Sequence, residues 1–444
     1  MQNDSPDDTK SEGYSWYVVF VLMIAAILSF VDRQILSLLV EPIKRDLQIS
    51  DLQISLLQGL AFSIFYAAAG LPIGRLVDKL NRRNIILIGG TAWTLATAAC
   101  GLANSYVQLF LARMAVGVGE ATLGPAAYSM IGDYFSRHRV PLALGVYSIG
   151  VSIGAGLAFV IGGLAASIAG KGDITLPLVG MVHGWQAAFI AVGLPGVLIA
   201  VLMLTVREPS RKNRVQGTSS VTTRQVWDLL VTRRRMAISY VVGCSLLTAL
   251  SYGSLSWVPS YFIRVHAMTP KETGAVVGLM ILVLSTIGIF GGGWVASWFA
   301  RKGRTDATFR TALWAAALSM PFSVAAPLMP TPTLALLAFA PAFVFGSAYI
   351  SLGPSTIQMV IPNEMRGQIS ALYLLLTTMA GGVLGPTAVA FATDKIFGDP
   401  LSVGHSLSLV ALVLSPIAIG FIAWGMPALR EAEAVASTWE KKSQ

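Results

Sequence analysis

This chain is short of charge. Charged residues make up 12% of its 444 residues, about half the share of a soluble protein. A surface so poor in charge cannot face water, which excludes a cytosolic enzyme and a disordered chain. Cysteine is nearly absent. Cys100 and Cys244 each lie in an apolar run, so they read as small hydrophobes, and a disulfide-stapled secreted domain is excluded. Histidine is scarce too, with four residues. His138, His183, His266 and His405 are scattered, and no spacing suits a metal. A phosphate-binding glycine loop and a nucleotide-hydrolysing signature are both missing, which argues against a primary pump. Gly150-Val-Ser152-Ile-Gly154 has the letters of a hydrolase elbow. That motif needs a strand–turn–helix setting, and this copy lies in an apolar span. What the chain does have is apolar bulk, 55% of residues with a mean hydropathy of +0.68. Its solvent is lipid.

A membrane helix needs about 20 mostly apolar residues. Runs of that kind fall at roughly 16–40, 53–73, 84–103, 105–131, 141–168, 184–206, 236–263, 273–298, 309–328, 333–360, 368–393 and 402–427. Period-two alternation is absent, so the spans are helical and twelve are expected. The first run is too long for a signal-peptide core and is expected to stay as a membrane helix. Twelve spans put both termini on one side. With the termini inside, 23 of the 31 Lys and Arg residues fall in inside segments and six in outside loops. That bias makes both termini cytoplasmic. It also explains the net charge of +9 as an insertion signal, with no continuous basic face for nucleic acid.

The chain repeats internally. Gly74-Arg-Leu-Val-Asp-Lys-Leu-Asn-Arg-Arg83 lies between spans two and three. Gly293-Trp-Val-Ala-Ser-Trp-Phe-Ala-Arg-Lys302, between spans eight and nine, aligns with it at an offset of 219. Leu123-Gly124-Pro125 with Arg137 aligns with Leu352-Gly353-Pro354 and Arg366 at an offset of 229. The expected organisation is a tail (1–15), a six-helix bundle (16–206), a linker with an interfacial amphipathic helix (207–235), a second six-helix bundle (236–428) and a tail (429–444).

Gly74-x-x-x-Asp78-Lys79-x-Asn81-Arg82-Arg83 resembles the signature loop of the major facilitator superfamily, with Asn81 where the family prefers Gly. Asn also tolerates a left-handed backbone. Arg113-x-x-x-Gly117-x-Gly119 resembles that family's fourth-helix motif. Phe30-Val-Asp32-Arg33, Arg113, Gly119-Glu120-Ala121 and Gly124-Pro125-Ala126 are similar to the spinster-like branch. The antiporter-type fifth-helix motif is not clear, since span five lacks an internal Pro. The resemblance implies an all-α membrane protein, two pseudo-symmetric six-helix bundles around a central cavity, with alternating access. It also implies an amphiphilic lipid substrate, a lysophospholipid or a sphingoid phosphate.

Ionisable residues inside a span cost about 2.5–3.5 kcal/mol each on insertion scales. Four lie deep: Asp32, Arg33, Arg113 and Glu120, all in the first half. Arg113 and Glu120 are seven apart and share a helical face. Asp32 and Arg113 are at similar depth, and the family brings their helices together, so they are expected to pair. Glu120 has no adjacent cation in sequence. One reading is a static ion pair. The other is a protonation switch, in which a buried carboxylate that loses its Arg takes up a proton. The expected roles are Asp32 and Glu120 as proton carriers and Arg113 as the partner that sets their affinity. Arg33, about 100° round the helix from Asp32, is a candidate for an anionic headgroup, with a reach toward the outer interface as the alternative.

Around these sit weaker candidates. Tyr252, Trp257 and Tyr373 are aromatic residues for an apolar cavity, with ordinary packing as the alternative. Gly74, Asp78, Lys79, Arg82 and Arg83 form a candidate intracellular gate. The family resemblance implies that Asp78 meets the start of span eleven, near Gly367 and Gln368, where a helix dipole favours an anion. Arg82 and Arg83 suit the anionic inner leaflet. Pro125, Pro354 and Pro386 free backbone carbonyls and are candidate hinges. The expectation is a proton-coupled secondary transporter that uses no cofactor or metal and takes its energy from the proton gradient. A transporter of hydrophobic drugs or small organic anions, and a transporter-like sensor, stay open as alternatives. The partners expected are the bilayer, an amphiphilic lipid and protons, with no nucleic acid. Oligomeric state is open, with a monomer as the working expectation. The location expected is a bacterial inner membrane.

Overall fold

The computed structural model describes residues 6–136, 139–169, 172–176, 180–211 and 223–443. They divide into two compact units: residues up to 216 together with 268–282, and residues 217–267 together with 283–444. The boundary therefore falls inside the expected eighth span.

The first unit opens with α1 (Pro6–Gln34), α2 (Val40–Leu47), α3 (Asp51–Gln58) and α4 (Leu60–Lys79). It continues with α5 (Arg82–Cys100), α6 (Tyr106–Glu120), α7 (Leu123–Tyr134) and α8 (Val140–Ala169). A small antiparallel hairpin follows, β1 (Ile174–Leu176) against β2 (Gly180–Val182), with Ile174 opposite Val182. The twelve-helix pattern does not anticipate it. His183 beside the hairpin places Nδ1 2.8 Å from Asp173 and Nε2 3.2 Å from Asp46. Then come α9 (Gly184–Gly193) and α10 (Gly196–Thr205).

Local chemistry sets the helix ends. Ser50 and Gln53 form a reciprocal cap at the start of α3. Ser105 caps α6. Asn81 accepts the backbone N–H of Asn84 and caps α5. Its φ is −69°, so Asn81 serves as a cap and not, as expected, as a left-handed residue. Val18, Leu22, Trp93, Met130 and Tyr147 lie in the core of this unit. Ile88, Leu95 and Leu111 point outward, as suits a lipid solvent.

The second unit begins with α11 (Thr223–Thr232) and α12 (Arg234–His266), and α13 (Pro270–Met280) crosses back to group with the first unit. There it packs on α8, where Gly163 and Gly274 leave no room for a Cβ on either helix. The chain goes on through α14 (Thr286–Arg301), α15 (Ala307–Ala325), α16 (Pro332–Ser347) and α17 (Tyr349–Val360). It ends with α18 (Asn363–Met379), α19 (Gly385–Phe391) and α20 (Val403–Ser443). In α11, Val226 is buried and Trp227 and Val231 are exposed, the two-sided pattern expected of the linker helix. Tyr240 stacks between Phe309 and Tyr373 in the core of this unit.

Among the described residues, ten helical segments are long and apolar enough to cross a membrane. The two other expected spans have visible reasons to fall short. α5 opens on Arg82 and Arg83, and the fourth span carries Arg113 and Glu120 before its interruption at Ala121–Thr122 between α6 and α7. Pro125 lies just past that break, where its missing N–H would have bonded Ala121. Pro354 sits inside α17, shortly after a similar break at Ala348. Pro386 opens α19 directly after a π-helical turn, Ala380–Leu384. Each expected hinge proline thus stands at or near a helix irregularity.

Candidate functional site

The deep charges meet inside the first unit. α1 carries Ser29, Asp32 and Arg33, α4 carries Phe62 and Tyr66, α5 carries Thr97, and α6 carries Arg113 and Glu120. Glycine lets these helices close in. A Cβ on Gly117 would stand 2.6 Å from the Phe62 carbonyl oxygen of α4. One on Gly119 would stand 2.8 Å from the backbone nitrogen of Trp93 on α5. The motif glycines of α6 are therefore contact residues.

Arg33 Nε donates to Glu120 Oε2 at 2.6 Å, and Ser29 Oγ donates to the same oxygen at 2.6 Å. Glu120 Oε1 is buried without a hydrogen-bond partner. The Arg33 guanidinium stacks on Phe62, 4.5 Å from the ring centre, with Tyr66 at 5.0 Å and Phe30 at 5.2 Å. Arg113 lies 5.7 Å from the same Phe62 ring. Such contacts hold a cation in a poorly hydrated place. Asp32 Oδ2 accepts from Thr97 Oγ1 at 3.1 Å. Arg113 Nη1 donates to the backbone carbonyl of Asp32 at 3.1 Å, and Arg113 Nε has no partner. Asp32, Arg113 and Glu120 are all at most 3% exposed.

The pairing differs from the expected one. Asp32 and Arg113 do come together, but through the Asp32 carbonyl and not its carboxylate. The cation of Glu120 is Arg33, which sequence proximity does not reveal. Arg33 lies one turn after Ser29, so the two share a stripe of α1 that faces Glu120. Ser29, Phe62 and Thr97 escape sequence reasoning, because neutral residues in an apolar run look like packing.

The aromatic candidates of the second unit are elsewhere and packed. Trp257 is fully buried, and its indole N–H donates to the Pro386 carbonyl at 2.9 Å. Tyr373 is buried against Tyr240, 4.9 Å between ring centres. Tyr252 is half-buried and packs beside Gly381. In this structure Trp257 and Tyr373 are buried within the second unit.

The gate residues also differ from expectation. The Asp78 side chain and the surroundings of Gly367 lie outside what the structure describes. Gly74 has open space around it and Lys79 is exposed. Arg82 and Arg83 are both tied to other parts of the first unit. Arg82 is 1% exposed and bonds Asp133 at 2.5 Å, Glu208 at 2.7 Å, Ser129 Oγ at 2.9 Å and the Pro209 carbonyl at 3.0 Å. Arg83 donates to the Met203 and Leu204 carbonyls at the end of α10, each at 2.9 Å. Arg211 does the same for Val77 and Leu80 at the end of α4. Basic residues at helix C-termini satisfy orphan carbonyls and oppose the dipole.

The second unit holds a counterpart with the signs exchanged. Asp306, 2% exposed, receives Arg310 at 2.9 Å and Arg430 at 2.5 Å. Burial opposes ionisation there, but the hydrogen bonds from Arg310 and Arg430 outweigh it and hold the carboxyl below its usual range. Arg82 and Asp306 each stand at the start of the third helix of their half.

Residues 22–386 match the model of the Major Facilitator Superfamily, and the chain belongs to that family. It is an integral membrane transporter of the superfamily. It is 27% identical to an MFS-type efflux pump of Mycolicibacterium smegmatis, over 94% of this chain and 93% of that protein. It is 23% identical to the hexuronate transporter of Bacillus subtilis, over 94% and 97%. Among solved structures it resembles an inward-facing, unoccupied bacterial homolog of the human lysosomal transporter Spinster. The TM-score is 0.77 at 24% identity, over 99% of both chains.

Proposed function

We propose that this chain is a proton-coupled secondary transporter of the bacterial inner membrane that works by alternating access. Asp32 and Glu120 carry the protons, and Arg33 and Arg113 set their affinity. One observation carries the reading: the Glu120 carboxylate, with no exposed surface, is held by Arg33 at 2.6 Å, and a second buried carboxylate, Asp32, stands next to Arg33 on α1. An ion pair in so apolar a place adds little net stability over a well-packed hydrophobic substitute. It gives instead a group whose proton affinity changes when its partner leaves. Pairing of Glu120 with Arg33 makes Arg33, more than Arg113, the partner whose departure frees a carboxylate.

For substrate we propose an amphiphilic lipid with an anionic head, a lysophospholipid or a sphingoid phosphate. The motifs around Asp32-Arg33 and Glu120, and the likeness to the Spinster homolog, support it. A small organic anion is the second reading, favoured by the similarity to a hexuronate transporter. Both classes present an anion that competes with Glu120 for Arg33. The test is reconstitution in liposomes with an imposed pH gradient and a fluorescent lysolipid. Gradient-driven movement abolished by Glu120→Gln and by Asp32→Asn is the expected result. Movement unchanged in both variants overturns proton coupling. No lipid movement by folded protein overturns the lipid substrate, and gradient-driven uptake of hexuronate would then establish the second reading.

A further inference from the structure

We propose that Ser29 and Thr97 are positioning residues of the proton-carrying pair, each setting through one hydroxyl the pH at which its carboxylate exchanges a proton. The inference rests on the proton-coupling reading above. The evidence is the direction in which the hydroxyls point. A Ser or Thr inside a helix usually gives its hydroxyl proton to the carbonyl four residues back. On α5, Thr91 bonds Leu87 and Thr94 bonds Gly90 in this way, each at 2.8 Å. Thr97, one turn further on, does not. It donates across the helix interface to Asp32 Oδ2 at 3.1 Å. Ser29 likewise leaves its own helix and donates to Glu120 Oε2 at 2.6 Å. Both side chains are buried, at 0% and 3% exposure, so water does not compete for them.

A hydroxyl that donates to a carboxylate stabilises its ionised form. Once the carboxyl takes a proton, the hydroxyl can turn back to the carbonyl of its own helix, Trp93 for Thr97 and Ala25 for Ser29. The two bonds do not carry equal weight. Glu120 keeps Arg33 when Ser29 is removed. The Asp32 carboxylate has Thr97 as its hydrogen-bond donor, while Arg113 donates to the Asp32 backbone carbonyl. Other charges face the pair as well. Asp32 and Glu120 face each other, Arg33 and Arg113 face Asp32, and Cys100 lies beside Asp32 on α5. Tyr66 of α4 and Tyr147 of α8 approach Arg33. All of these stay in place in the variants below.

The test needs no substrate. Infrared spectra of the reconstituted protein, recorded over a pH series, follow the carbonyl stretch of protonated carboxyl groups. Bands lost in Asp32→Asn and in Glu120→Gln identify the two acids. Thr97→Val, nearly isosteric, is expected to raise the Asp32 midpoint by about one pH unit. Thr97→Ser is expected to restore it. Ser29→Ala is expected to raise the Glu120 midpoint by less. Unmoved midpoints in Thr97→Val and Ser29→Ala, with both bands present, would show that the hydroxyls only pack. If Asp32→Asn and Glu120→Gln remove no titrating band, the proton-carrying reading itself falls, and this inference with it.

Discussion

Arg33 decides what the buried carboxylate of Glu120 can do. Its removal leaves that charge unpaired, so Arg33→Ala is expected to destabilise the protein by about 3 kcal/mol. The double variant Arg33→Ala/Glu120→Gln is expected to recover much of that loss. Thermal unfolding in detergent checks both, and equal losses in the single and double variants would contradict the pairing. The four charged residues were legible in the sequence, since charge inside an apolar run is costly and stands out from its surroundings. Their pairing was not. Spacing gives the angle between Asp32 and Arg33 on their helix, but not which neighbour occupies each direction. The polar neutral residues were hidden for a different reason. A Thr in a membrane helix normally satisfies itself, and only the structure shows that Thr97 does not.

At the scale of helices, the glycines of α6 set how near α4 and α5 can come. Gly119→Ala forces a Cβ against the Trp93 backbone, which cannot give way as a flexible side chain would. It is expected to lower stability by about 1–3 kcal/mol. Gly132→Ala on α7, where nothing lies within 4 Å, is expected to be neutral or slightly stabilising. Comparison of the two unfolding temperatures separates close packing from helix propensity. The spans themselves could be read from hydropathy because lipid demands about 20 apolar residues in a row. The break at Ala121–Thr122 and the π-helical turn before Pro386 leave the hydropathy untouched, so they could not. The hairpin after α8 has only three residues per strand, too few for a periodic signal.

At the scale of the chain, the repeat visible in Gly74 and Gly293 extends to a feature no letter match reveals. Each half ties the start of its third helix to the segment at the end of its sixth, Arg82 to Glu208 and Asp306 to Arg430. The residues are not alike, only their roles, and for that reason an alignment by identity passes over them. Because the folded Asp306 carboxyl is held below its usual range, its contribution is present above the unfolded carboxylate pKa. It is lost as pH falls through the lowered folded value. Stability is therefore expected to fall below about pH 4. Asp306→Asn is expected to remove about 2 kcal/mol at neutral pH and to flatten that acid limb, as thermal unfolding over a pH series would register.

The exchange of signs makes the two ties unequal in their exposure to protons. In the first unit the hub is a cation with two acidic spokes, Asp133 and Glu208, and loss of either spoke leaves Arg82 with the other. In the second the hub is the acid itself. A single neutralising event at Asp306, by a proton or by mutation, takes the shared carboxylate from both arginines and leaves them facing each other. Mutation of either hub empties its joint, but only the acidic hub can also be discharged by a proton, because a guanidinium keeps its charge.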